Sequence, residues 1–116
     1  MKLSKSAADA GVDVVRCEGP ITLIEPTPAN PFEILLGPEA FSRRVLLNLQ
    51  RSSVIDSSGV GWLIRSHQSF QKDGGKLVLY EIPPLVAQVL QLMKMQKLLH
   101  LAADEAAARA LLESIP

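Results

Sequence analysis

The chain has 116 residues, and its 12 Lys and Arg balance 12 Asp and Glu for a formal net charge of zero at pH 7. At roughly 100–200 residues per domain, the length predicts one domain over residues 1–116, with 1–11 as a flexible or edge-strand lead-in. Hydrophobic residues make up 47% and charged residues 21%, which excludes wholesale disorder. The charge balance leaves nucleic acid unmotivated as a partner, because phosphate neutralisation needs clustered Lys and Arg. The longest basic features are Arg43-Arg44 and the spaced pair Lys94 and Lys97.

In chain order, residues 1–11 show no sustained periodicity, although Leu3 suits the start of an edge strand. No apolar run of the length a signal peptide needs follows Lys2 and Lys5, and no stretch approaches the roughly 18 apolar residues of a membrane span, so a cytoplasmic domain is expected. Val12–Cys17 is β-branched, with Val12 and Val14 on one side and Val15 and Cys17 on the other. Ile21–Ile24 follows Glu18-Gly19-Pro20, which predicts two strands joined by a tight turn. Cys17 has no partner for an internal disulfide and reads as a small buried hydrophobe.

Five prolines between positions 20 and 38 (Pro20, Pro26, Pro28, Pro31, Pro38) break any long helix there. A short helix is predicted over Pro31–Leu36, capped by Asn30, opened by Pro31 and ended by Gly37. The stretch is either an irregular cover on a sheet or a binding loop.

Val45–Leu49 and Lys76–Tyr80 are almost wholly apolar, as central strands covered on both faces should be. Between them one helix starts at Asp56-Ser57-Ser58-Gly59 and stops at Asp73-Gly74-Gly75. Spacing of 100° per residue gathers Val60, Leu63, Ile64, His67 and Phe70 in one stripe, opposite Arg65, Gln68 and Lys72. Pro83-Pro84 opens a further helix whose predicted buried face is Leu85, Val86, Val89, Leu90 and Met93. A short last strand at Leu98–Leu101 and a helix from Asp104 to Leu112 follow. The expected fold is a single α/β domain: a mixed sheet of four to five strands with helices mainly on one face.

Chemistry concentrates at Val54–Trp62, where two hydroxyls and a carboxylate stand at a strand-to-helix junction. The structural role of such residues is capping, a side-chain oxygen accepting from a backbone N–H two or three residues on. Gly59 and Gly61 add something, since each costs about 0.5–1 kcal/mol against Ala inside a helix. Close approach of another molecule to the helix start would explain them. A phosphoryl group on a hydroxyl here adds about −1.5 to −2 charges, favoured by the helix's positive end and opposed by Asp56. Trp62 falls outside the apolar stripe, which leaves partial burial under a loop or a place in an interface, where Trp is enriched.

With Val45–Leu49 before it and Gly74-Gly75-Lys-Leu-Val-Leu79 after it, Asp56-Ser-Ser-Gly-Val-Gly61 resembles the STAS domain of bacterial anti-sigma factor antagonists, roughly from Val12 to Leu112. The resemblance implies that Ser57, less readily Ser58, is phosphorylated by a partner that is both serine kinase and anti-sigma factor. It implies a phosphatase that reverses the reaction, and a switch motif of Asp56, Ser57, Ser58, Gly59 and Gly61. The domain would then be a kinase substrate and not itself an enzyme, with no catalytic residues, no cofactor and no metal. Thr22 lies just after Gly19, in the segment where the family often carries an acidic residue, and with Trp62 it is assigned to the partner interface. That departure, with Met93-Lys-Met-Gln-Lys97 replacing the usual turn before the last strand, supports an alternative: a non-phosphorylated STAS subunit of a transporter or stress-sensing complex. His67 and His100 have no second ligand at metal spacing in sequence and read as packing or surface histidines.

Overall fold

Side-chain alternation along the central strands decides the layers. The computed structural model describes residues 1–25 and 28–115; of the proline-rich stretch, Pro26 and Thr27 lie outside the described residues. Five strands, β1 (Lys2–Asp9), β2 (Val12–Glu18), β3 (Arg44–Arg51), β4 (Lys76–Tyr80) and β5 (His100–Ala102), form one sheet in sequential order. β1 runs antiparallel to β2 and the remaining neighbours are parallel, making a mixed sheet. Among the described residues, four α-helices accompany it: α1 (Pro31–Leu36), α2 (Ser57–Lys72), α3 (Pro84–Leu92) and α4 (Glu105–Ser114).

Successive residues of a strand face opposite sides. Val15, Cys17, Val45, Leu47, Leu49, Leu77 and Leu79 therefore join a core with Phe32 of α1, Val60, Leu63 and Phe70 of α2, and Val86 and Leu90 of α3. The alternate residues Val12, Val14, Leu46, Val78 and Tyr80 meet Ala108 and Leu112 of α4. Three helices on one face and one on the other explain why the central strands are apolar on both sides. Cys17 is wholly buried, and burial pushes its thiol pKa up.

Asn30 caps α1 as predicted: its Oδ1 accepts from the Phe32 N–H at 3.0 Å, while Glu33 Oε1 accepts from the Asn30 N–H at 3.1 Å. Gly37 ends that helix, and Gly74, at φ 83°, follows the end of α2. Asp104 Oδ1 accepts from the Ala107 N–H at 2.8 Å to open α4.

The lead-in takes the edge-strand alternative, and three other expectations are corrected. The lead-in is a full edge strand, turned into β2 by Ala10 and Gly11, both left-handed at φ 50° and 75°. That two-residue connection has the φ signs of a type I′ hairpin turn, with alanine where asparagine or glycine is usual. The predicted strand at Ile21–Ile24 shrinks to one parallel bridge between Ile21 and Ile55. Leu23 is left-handed at φ 55°, which no strand accommodates, and the Leu23 and Ile24 N–H groups donate to side chains instead of a ladder. On α3 only Val86 and Leu90 of the predicted face are buried, with Val89 partly so. Leu85 and Met93 are exposed, because the helix rests on the sheet along a narrower line than the five apolar positions allow. The last strand also starts two residues later than expected, at His100.

Candidate functional site

The site begins with backbone donors that the start of a helix leaves unpaired. Asp56 is the N-cap of α2, in extended conformation at φ −113°. Its Oδ1 accepts from the Gly59 N–H at 2.9 Å and from the Ser58 hydroxyl at 2.6 Å. Its Oδ2 accepts from the Leu23 N–H at 3.1 Å, so one carboxylate caps the helix and holds the preceding loop. These bonds, the Ser58 hydroxyl first and then the Gly59 and Leu23 N–H groups, hold the Asp56 pKa below the usual carboxylate value. The carboxylate is ionised at neutral pH.

The two serines differ. Ser58 is engaged on both sides, donating to Asp56 and accepting from the Ile24 N–H at 2.9 Å. Ser57, the first residue of α2, is exposed, and its hydroxyl makes no hydrogen bond among the described residues. The capping role read from the sequence thus belongs to Asp56, Ser58 ties the loop to the helix, and Ser57 is left free.

The glycines also separate. A Cβ on Gly59 would stand 2.1 Å from the Ile21 carbonyl oxygen and 2.8 Å from side-chain atoms of Ile21 and Ile55. Close approach by the chain's own Ile21 therefore accounts for Gly59, which corrects the expectation of an approaching molecule there. At Gly61 a Cβ would meet only the tip of Arg65, at 3.1 Å, so nothing rigid in the fold requires glycine.

Trp62 is only 1% exposed. Its ring stacks on Phe32 with centroids 5.4 Å apart and planes 13° from parallel, and its Nε1 donates to Asn30 Oδ1 at 3.1 Å. Asn30 Nδ2 in turn donates to Ser66 Oγ at 3.1 Å. The assignment of Trp62 to the partner interface is corrected: α1 packs on a second side of α2 and encloses the indole, which single-stripe reasoning does not anticipate. Thr22 is half-buried in the loop held by Asp56. The residue that sequence reasoning missed is its neighbour Leu23, 87% exposed beside the helix start and fixed in the left-handed region by the bond from its N–H to Asp56. An apolar residue after Gly-Pro-Ile-Thr gives no sign of this; only the contact across 33 positions to Asp56 does.

His67 and His100, unrelated in sequence, have ring centroids 5.1 Å apart. Both line a cavity at the C-terminal end of α2, away from Ser57.

A family model described as STAS domain matches residues 3–108. Among solved structures, the chain is similar to an anti-sigma-factor antagonist (STAS) domain protein from Planctomyces limnophilus, at TM-score 0.68 and 18% identity over 97% of this chain and 99% of that one. It is similar to the anti-sigma factor antagonist SpoIIAA in its unphosphorylated form, at TM-score 0.65 and 21% identity over 98% of each chain. A sulfate transporter family protein from Wolinella succinogenes matches at TM-score 0.62 and 20% identity over 94% of this chain and 93% of that one. At these identities the structural likenesses establish the fold. Among the described residues, no helix is long and apolar enough to cross a membrane.

Proposed function

The chain belongs to the STAS domain family, and from that footing we propose that it is an anti-sigma factor antagonist whose binding to a serine kinase and anti-sigma factor is broken by phosphorylation of Ser57. The observation that carries this reading is the division of labour between the serines: Ser58 is bonded on both sides, whereas Ser57 is exposed with an unengaged hydroxyl. A kinase can take Ser57 without dismantling the helix cap. The positive end of α2 accommodates a phosphoryl group, so the fold survives the modification. The same group places about −1.5 to −2 charges beside the ionised Asp56, on a surface that a partner met when Ser57 was neutral.

Around Ser57 the docking surface consists of Thr22, the projecting Leu23 and the open position at Gly61. The domain is the kinase's substrate and partner, not the enzyme. It acts on transcription by sequestering the anti-sigma factor and so releasing the sigma factor, and a phosphatase resets it in the cytoplasm.

The test is incubation with ATP and the serine kinase anti-sigma factors encoded in the same genome, followed by site mapping by mass spectrometry. The expected result is phosphate on Ser57 of the wild type and of Ser58→Ala, and none on Ser57→Ala. Phosphate that persists on Ser57→Ala overturns the assignment. Failure of every such kinase to modify or bind the protein, with recovery of a transporter or of other STAS proteins from native cells, favours a non-switching subunit.

A further inference from the structure

We propose that the outward face of α3, together with the tight turn that follows it, docks on the surface of a bilayer that contains anionic lipid. This inference is independent of the phosphorylation of Ser57. α3 carries no charged residue, and its only polar side chains are Gln88 and Gln91. A helix that is apolar all round is normally enclosed, yet only Val86 and Leu90 of this one are buried. Leu85 and Leu92, about two turns apart, share a face turned away from them and are 58% and 75% exposed.

The turn after α3 prolongs this surface. Met95 and Leu99 join the core, and Lys94 is left-handed at φ 58°. The residues around them are turned outward: Met93 and Leu98 are exposed, and so are Lys94 and Lys97. Among the described residues eight large apolar side chains are exposed, and four of them (Leu85, Leu92, Met93 and Leu98) fall in this one stretch. Such clustering, unlike scattered surface apolar residues, marks an interaction site.

The charge on the stretch has one sign. None of the chain's 12 Asp and Glu lies between Glu81 and Asp104, and the charged side chains there are Lys94 and Lys97. Neither ammonium enters an ion pair or a hydrogen bond among the described residues. Projecting apolar side chains bordered by unpaired lysines complement a surface that is apolar beneath and negative at its headgroups. A protein partner fits less well. Protein interfaces are enriched in Tyr, Trp and Arg and depleted in Lys, whereas residues 82–103 contain no Tyr, Trp, Phe or Arg.

The element is too short to span. At about 1.5 Å per residue α3 extends about 13.5 Å, under half of a hydrocarbon core about 30 Å thick. It would lie along the surface, with Leu85, Leu92 and Leu98 entering the acyl boundary and Lys94 and Lys97 among the lipid phosphates.

The experiment sediments the untagged full chain with large unilamellar vesicles, either of phosphatidylglycerol and phosphatidylethanolamine or of phosphatidylcholine alone. Amide shifts over residues 85–98 are followed by NMR. The expected result is binding at least tenfold tighter to the anionic vesicles. Binding should weaken at least tenfold in Lys94→Glu/Lys97→Glu and in Leu92→Ser/Leu98→Ser, and stay unchanged in Ile34→Ser, which alters an exposed apolar residue on α1. All these positions are exposed, and circular dichroism checks the fold of each variant. The proposal is overturned by no sedimentation up to about 1 mM anionic lipid, tenfold above the half-binding point near 0.1 mM of a marginal lipid anchor. Equal binding to both vesicle types, or affinity unchanged in the two double variants, also overturns it. So do concentration-dependent shifts over residues 85–98 without lipid binding, which would make this face a contact between two copies of the chain.

Discussion

At the scale of single residues, side chains of similar type at the start of α2 have different tasks. Gly59 lies against the Ile21 carbonyl, whereas Gly61 faces only the flexible end of Arg65. Gly59→Ala is expected to destabilise the fold by several kcal/mol, as overpacking against rigid backbone does. Gly61→Ala is expected to be neutral or to stabilise by about 0.5–1 kcal/mol, the helix-propensity difference, and to weaken partner binding if that surface is the docking face. Urea denaturation of both variants separates these outcomes. Trp62 is a packing residue, so Trp62→Ala should cost about 3–5 kcal/mol, the range for deleting a buried aromatic. Trp62→Phe should cost less, because it keeps the stack on Phe32 and loses the Nε1 bond to Asn30. A Trp62→Ala protein with an unchanged urea midpoint would contradict this.

At the scale of elements, β2 holds its neighbours through a buried charge. Asp13, 1% exposed, accepts from both Arg43 Nε and Arg43 Nη2 just before β3, and pairs with Lys5 Nζ of β1 at 3.3 Å. The Arg43 guanidinium leads in holding the Asp13 carboxyl below its usual pKa, with Lys5 assisting against the opposing effect of burial. A carboxyl with a lowered folded-state pKa contributes stability that is full above its unfolded value, near 3.9, and is lost as pH falls through the folded value. Asp13→Asn should therefore lose about 1–3 kcal/mol at neutral pH, a typical cost for a charged hydrogen bond. It should also show a flatter loss of stability below about pH 4 than the wild type. Thermal melts across that range check both effects.

Elements were legible in the sequence where one periodicity or one capping signal decided them: α1 with Asn30 and Pro31, α2 between Asp56 and Gly74, and the apolar strands β3 and β4. They were illegible where tertiary pairing decided. Nothing in Lys-Leu-Ser-Lys-Ser-Ala-Ala-Asp alternates, and β1 forms because its backbone completes the edge of β2. Ile21–Ile24 has strand composition, but its N–H groups are claimed by Asp56 and Ser58.

At the scale of the whole molecule, α2 links two places of different chemistry: the Ser57 surface at its start and the His67–His100 cavity near its end. The motif Asp56–Gly61 was visible as a motif, yet the distinction between Ser57 and Ser58 required the loop from Ile21 to Ile24, and the histidine pair required β5 to fold beside α2. The chain's formal net charge is zero, so no large background field masks the charge of one phosphate. The proposed switch therefore rests on local complementarity at Ser57. Its most direct test is calorimetric titration of the kinase partner with the unphosphorylated protein and with the protein phosphorylated at Ser57. The account predicts affinity at least about 100-fold weaker for the phosphorylated form, a difference of about 2.7 kcal/mol, with the fold unchanged by circular dichroism. Equal affinity for the two forms would contradict it.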